Sequence, residues 1–338
     1  MPVTLAQAAI NTLTDVDFAV IDNIRRYSVL WDMLTFDDCV TPGSGGGTLT
    51  YGYTRLVTAA PADFRLFNNE YVAGQAVRSQ FTTNLKPLGG AFTVDRALAN
   101  LGPAATSEIT FQLQQVTTSA RVRFQQELVL GDTSVNAAGF DGLSKQLTGT
   151  TTEKTAGYFS GSGNWNASTV NTQALANTRL DELDDFLSGI VPSHTGSGDQ
   201  GTPGGLPPGQ KAILGNTRLI ARVRALARWA ASYQSIKDDL GRQIEMYGPW
   251  QLIDIGDRFD GSAPIVPITS NATDLYAVSF GLDAFHGVSV AGQPLVQTYM
   301  PNYTQAGALK SGEVEIGPVS CVLKNTRAAG VLRTITVQ

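Results

Sequence analysis

Between Pro103 and Gly131 apolar residues return every three or four positions, at Ile109, Leu113, Val116, Ala120, Phe124 and Leu128. Gln112, Gln114, Gln115, Arg121, Gln125 and Gln126 lie mostly elsewhere. This spacing keeps one stripe of a 3.6-residue helix apolar and predicts a helix over about 104–130. A proline just inside the start and a glycine just past the end supply the matching boundaries. At 1.5 Å per residue the helix runs roughly 40 Å, longer than an average globular helix. Such an element is a spine along which the remaining chain must be arranged, with Phe124 central to its buried face. The 338 residues allow two or three packed units around it.

The segment before the spine reads as strands without a core of their own. Residues 48–57 and 77–94 alternate over their length and are rich in Thr, Tyr, Phe and Val, so they predict two long strands. Ala59-Ala60-Pro61 and Phe67-Asn68-Asn69 interrupt them at one end. An isolated two-stranded hairpin is marginal in water, so the partner is expected to be a neighbouring subunit. Tyr51, Tyr53, Phe81 and Phe92 are the aromatic residues expected at that contact. Further upstream, Leu5, Ala9, Leu13, Phe18, Ile21, Ile24, Leu30, Trp31 and Leu34 predict one or two amphipathic helices within residues 3–35, and Arg25 and Arg26 read as a solvated face. The Pro- and Gly-rich run 41–47 ends them.

After the spine, Gly139-Phe140-Asp141-Gly142-Leu143 reads as a turn. A second helix is predicted over about 178–190, with Thr178 as N-cap and Leu180, Leu183, Phe186 and Leu187 facing inward. Residues 194–209 are dominated by Gly, Pro, Ser and Thr. The part 195–209 is expected to be exposed and dispensable for folding, because its glycines have much entropy to lose and its prolines cannot join a ladder. Ala212-Ile213-Leu214 reads as a short buried strand, and Asn216 as the cap of a third helix lined by Leu219, Ile220, Val223, Leu226, Ala227 and Ala230. Beyond residue 234 strands return, with 275–280 alternating and 314–337 giving two runs split at 328–330. Helices and strands mix without βαβ alternation, so the fold class is α+β.

Composition narrows the function. The net charge of −5 argues against a protein dedicated to neutralising phosphates, and the 16% of charged residues is low for a soluble domain, where about 25% is usual. No window reaches the roughly 18 consecutive apolar residues of a membrane span. The first fifteen residues lack the basic and apolar regions of a secretory signal and read as part of the working protein. Cys39 and Cys321 fit a reducing compartment and read as small hydrophobes.

Catalytic and cofactor motifs fail one by one. Gly196-Ser197-Gly198-Asp199-Gln200-Gly201 has the dinucleotide spacing, but a Pro-rich loop stands where a helix should open. In 204–211, Gln210 separates the second glycine from Lys211, which breaks the phosphate-loop pattern. Phe159 replaces the first glycine of a nucleophile elbow at 159–163. His194 and His286 are the only histidines and form no zinc motif, so neither metal nor cofactor is expected. Asp181, Glu182, Asp184 and Asp185 read as a solvated helix face, with calcium binding or paired acid–base chemistry as the sharper alternatives.

The series from Ala212-Ile213-Leu214-Gly215-Asn216 through a helix to Ile236-Lys237-Asp238-Asp239-Leu240-Gly241-Arg242 resembles the apical domain of tailed-bacteriophage major capsid proteins, the Hong Kong ninety-seven type fold. The order of elements around it agrees. That resemblance implies an N-terminal arm (1–42), an extended hairpin loop (43–102), a peripheral domain with the spine (103–174), an apical domain (175–300) and returning C-terminal strands (301–338). It implies a structural protein, not an enzyme, that builds pentamers and hexamers of an icosahedral head around double-stranded DNA in the bacterial host cytoplasm. Its partners would be further copies of itself, a portal, a scaffolding protein or protease, and decoration proteins. DNA would be enclosed without sequence-specific binding, and no membrane would be involved. An encapsulin nanocompartment, which shares the fold, is the first alternative, and an α+β enzyme using the 181–185 carboxylates the second. Two departures stand out: 195–209 looks like an insertion, and no long charged helical prefix precedes the arm. Some family members cross-link subunits through a lysine of the extended loop and an asparagine elsewhere, which points to Lys86 and Asn325.

Overall fold

A computed structural model of the chain describes residues 26–40, 49–99, 103–159, 163–190, 210–229, 234–237 and 243–338. The helical pattern of residues 3–25, the break at 41–47, the loop 195–209 and residues 238–242 of the Lys-Asp and Gly-Arg series lie outside the described residues. In chain order the first elements are α1 (Leu30–Met33), β1 (Phe36–Val40), β2 (Thr50–Thr58), β3 (Val77–Asn84), β4 (Lys86–Asp95), α2 (Arg96–Ala99) and α3 (Pro103–Leu130). There follow α4 (Leu143–Leu147), β5 (Glu153–Lys154), α5 (Gln173–Ser188), β6 (Lys211–Gly215), α6 (Thr217–Trp229), β7 (Gln234–Lys237), β8 (Gln243–Tyr247) and β9 (Trp250–Asp254). The chain closes with β10 (Ala272–Ser279), β11 (Phe285–Val290), β12 (Val296–Tyr299), β13 (Leu309–Leu323) and β14 (Ala329–Thr336).

The spine α3 keeps the boundaries its sequence predicts. It stops because Gly131 and Gly142 let the following loop fold back onto its last turn: a Cβ at Gly142 would lie 2.3 Å from the Glu127 carbonyl oxygen. The C-terminal half is buried over more than one stripe, at Ala120, Val122, Phe124, Leu128 and Val129. Gln125, expected away from the apolar face, is fully buried. Its Nε2 donates to the carbonyls of Tyr27 (3.2 Å) and Ile255 (2.7 Å), and its Oε1 accepts from the Leu30 amide (3.1 Å). One side chain therefore closes three backbone groups from two distant segments. Gln125→Leu fits the volume but takes their partner from the buried Leu30 amide and Ile255 carbonyl, each at a cost of about 1–3 kcal/mol. A clear fall in the urea midpoint without change of slope is the expected result.

β6, β10 and β14 are the centre of a seven-stranded sheet ordered β5-β14-β10-β6-β9-β8-β7. Alternation divides their side chains between two cores. Ala212, Leu214, Tyr276, Val278, Ala329 and Val331 pack with the spine and α1, whereas Ile213, Leu275, Ala277 and Leu332 pack with α5 and α6. Gly330 is needed on the second face, since a Cβ there would meet the Phe186 ring at 2.9 Å. Asn216 caps α6 as expected, accepting from the Leu219 amide at 2.9 Å, and its Nδ2 reaches Val266 O and Thr273 Oγ1. The helix α5 starts earlier than expected: Thr172, not Thr178, is its N-cap, and Thr178 Oγ1 bonds back to the Ala174 carbonyl inside the helix.

The second sheet is built on the long strand β13. Its first part pairs with β4 and β12, and its end pairs with β11, which in turn pairs in parallel with β1. β1 stands between the helical pattern expected over 3–35 and the break expected at 41–47, where no strand was expected. The single long strand expected over 77–94 is in fact two. At Leu85 the chain leaves β2 and joins β13, because the Leu85 side chain, 3% exposed, turns into a small cluster with Val40, Tyr51, Val288, Val290 and Val322.

Candidate assembly interface

Among the described residues no other strand pairs with the hairpin β2–β3, which runs from Thr50↔Asn84 to Thr58↔Val77 with one irregularity between Leu56 and Thr58. Its root is held to the body by specific contacts. Tyr51 is buried and its hydroxyl donates to Asp37 Oδ2 at 3.3 Å. Arg55 donates from Nε to the Lys324 carbonyl (2.8 Å) and from Nη2 to the Leu323 carbonyl, while its guanidinium lies 4.4 Å from the Phe81 ring centre and 5.2 Å from that of Tyr53. Tyr53 and Phe81 stack at 5.8 Å. Thr83 and Ser320 share a hydroxyl hydrogen bond of 2.9 Å. Burial pushes the Tyr53 phenol up, against the opposing pull of Arg55.

Beyond the root the hairpin leaves the body. Every residue from 56 to 78 is exposed. Among them are Phe64 (101%), Phe67 (96%) and Val72 (92%), with Leu66 and Tyr71 also open. The tip is nevertheless organised: Arg65 donates to the Asn69 carbonyl at 3.1 Å and lies 5.3 Å over the Tyr71 ring, the Asn69 amide bonds to Leu66 O, and Asn68 turns the chain at φ 69°. A turn that holds itself together while presenting phenylalanines to solvent is an unpartnered apolar surface.

The four aromatic residues expected at a contact between subunits are engaged within the chain itself. Tyr51 and Phe92 are 8% and 7% exposed within their own chain, Phe92 standing in β4 opposite Gly312. Tyr53 and Phe81 are half-buried around Arg55. The apolar area left for a partner sits in 56–77, which sequence reading treated as an interruption. A run of exposed aromatics next to Pro61 and Asn68-Asn69 was the available signal. Lys86 lies at the foot of the hairpin, in a groove of about 280 Å³ lined also by Thr82, Asn84, Thr133 and Asp141. Asn325 caps a short 3-10 turn, its Oδ1 accepting from the Arg327 amide at 2.9 Å.

The acidic helix face is used for structure. Glu182 pairs with the buried Arg179 at 2.7 Å, Asp184 accepts from the Tyr247 hydroxyl at 2.8 Å, and Asp185 from that of Tyr158 at 2.6 Å. Both phenols are pushed up, by burial first and then by these carboxylates. Two of the four acids thus tie α5 to neighbouring segments, and a third pairs within the helix. Among the described residues no group of three or more His, Cys, Asp or Glu could hold a metal ion. Cys321 is enclosed, and burial pushes its thiol up.

Solved structures match this architecture along the whole chain. An encapsulin complex from Synechococcus elongatus PCC 7942 superposes with a TM-score of 0.62 at 15% identity, covering 99% of this chain and 98% of that one. The fold is the Hong Kong ninety-seven type capsid fold. The capsid of a native GTA particle follows it at a TM-score of 0.58 and 10% identity over 98% of each chain. The capsid of Myoviridae phage XM1 does so at 0.56 and 11% identity over 98% of this chain and 99% of that one. No protein-family model and no curated protein sequence matches the chain.

Proposed function

We propose that this chain is a shell subunit that assembles with copies of itself into a closed particle, the hairpin tip of one copy lying on the body of the next. The observation that carries this reading is the tip itself, with Phe64, Phe67 and Val72 almost fully exposed on a turn fixed by its own contacts. A monomer has no use for such a surface, whereas aromatic anchors are what an interface core requires. The finer reading is a phage-type head of pentamers and hexamers enclosing double-stranded DNA. A chain of net charge −5 suits it, since a wall facing dense DNA gains little from holding phosphates tightly. The role is structural and not enzymatic, in keeping with carboxylates engaged by Arg179, Tyr247 and Tyr158. An encapsulin-type compartment stands beside it because the encapsulin subunit superposes over 98% of its own length.

Negative-stain imaging of the purified full chain is expected to show closed shells or capsomers. Small discrete particles at every protein concentration would overturn the proposal. The contents divide the two shell readings: nuclease-protected DNA supports the head, and a stoichiometric cargo protein the compartment.

A further inference from the structure

His286 lies in β11, has no exposed surface, and has no hydrogen-bond partner at either ring nitrogen among the described residues. Its ring meets that of Tyr51 edge-on, with centres 6.1 Å apart and planes at 79°. Tyr51 is the residue through which β2 enters the small cluster of Val40, Leu85, Val288, Val290 and Val322. The histidine thus forms part of the surface against which the hairpin root rests. A neutral imidazole suits that position as an apolar plate; an imidazolium does not, because it would bring a positive charge and a second N–H donor into a buried site near the Lys324 ammonium.

We propose that His286 is an acid-sensitive catch: uncharged it seats Tyr51 and with it the hairpin root, and on taking up a proton it releases β2 and β3 from the body. The charged and titratable groups around it come from every neighbouring element. Asp37 on β1 accepts the Tyr51 hydroxyl, and Asp283 precedes β11. Lys324 follows β13 with its ammonium 5.8 Å from the Tyr51 ring centre, and Arg55 on β2 is fixed to the carbonyls of Leu323 and Lys324. Burial and then the Lys324 charge hold the imidazole down to about 4, against the weaker pull of Asp37, the Ala284 carbonyl and Asp283. Released into water, the ring returns to its ordinary value near 6.5. The seated root therefore binds fewer protons than the released one. Its stability is complete above pH 6.5 and is lost as the pH falls towards 4. The inference concerns the single chain and does not depend on what the shell encloses.

Hydrogen–deuterium exchange of the full chain at pH 7.5 and 5.0, corrected for the intrinsic rate at each pH, tests it. Amides of 50–57 and 79–84 are expected to open about 30-fold more often at pH 5.0, while those of 120–129 in the spine stay unchanged. His286→Phe and His286→Gln should each abolish the difference, Asp37→Asn should keep it, and His194→Gln should leave it intact. Equal protection of the wild-type root at both pH values overturns the proposal without recourse to any variant. So does a rise that persists in a His286 variant melting like wild type, or one that disappears in Asp37→Asn.

Discussion

Replacing Phe124 by alanine is expected to remove about 3–5 kcal/mol of stability, comparable with much of what a domain of this kind has. Phe124 has no exposed surface, and three rings pack around it: Trp31 at 5.1 Å and 75°, Phe140 at 5.9 Å and Phe36 at 6.0 Å. Trp31 and Phe36 belong to the segment before the hairpin and Phe140 to the loop after the spine, so the cavity would open where both segments meet α3. Neighbouring rings held by their own backbones cannot collapse into that space, which places the cost towards the upper end. The variant should express poorly, or unfold at markedly lower denaturant, with loss of near-ultraviolet aromatic signal. A wild-type denaturation midpoint would show that the rings repack and that the spine is not anchored there.

Long periodic elements were legible because a single periodicity determined them. The spine announced both its ends through Pro103 and Gly131, and Asn216 followed by Leu219, Ile220 and Val223 could only open a helix packed on one side. Where the reading failed, tertiary contacts redirected a locally ambiguous stretch. Gln125 looked outward because it is polar, yet its amide is the one group able to serve Tyr27, Leu30 and Ile255 at once. Thr172 and Thr178 are equally good caps by type, and only the burial of Ala176 beside α6 extends the helix back to the first. The alternation over 77–94 changes phase between Leu85 and Leu88, beside Pro87, a slight local mark of the point where the chain changes sheets; what turns it there is the cluster with Val288, Val290 and Val322, some two hundred residues away.

Which rings of the hairpin the body takes was not legible, for a related reason. The aromatic content of 48–99 led to the expectation of a contact element, yet it does not say which rings the chain's own body takes. Tyr51 and Phe92 went to the chain's own core, and Tyr53 and Phe81 to Arg55. What remains is the tip, whose sequence carries the turn-forming Pro61 and Asn68-Asn69 among apolar residues and so reads as irregular. An irregular segment can still be the binding surface when its own contacts hold it in shape.

Removing residues 59–76 and joining Thr58 to Val77 through Asn-Gly is expected to leave a folded chain that no longer closes into shells. Thr58 already stands opposite Val77 in the ladder, so a two-residue turn of the type that Asn-Gly favours fits the existing register. The root contacts of Tyr51, Arg55 and Thr83 are untouched, and every excised residue is exposed, so the body loses no core. The deletion does remove Phe64, Leu66, Phe67, Tyr71 and Val72, the apolar area the hairpin offers a neighbour. Aromatic anchors of this kind typically contribute 2 kcal/mol or more each (on the order of 30-fold in affinity), and a shell repeats the loss at every contact. Circular dichroism and melting should match wild type, while size exclusion and electron microscopy should show monomers or small oligomers. The milder Phe64→Ser, Phe67→Ser double variant should raise the concentration needed for assembly without changing the melt. Closed particles of normal size from the deleted chain would mean that the tip is not the intersubunit contact, and that the surfaces driving closure lie on the body.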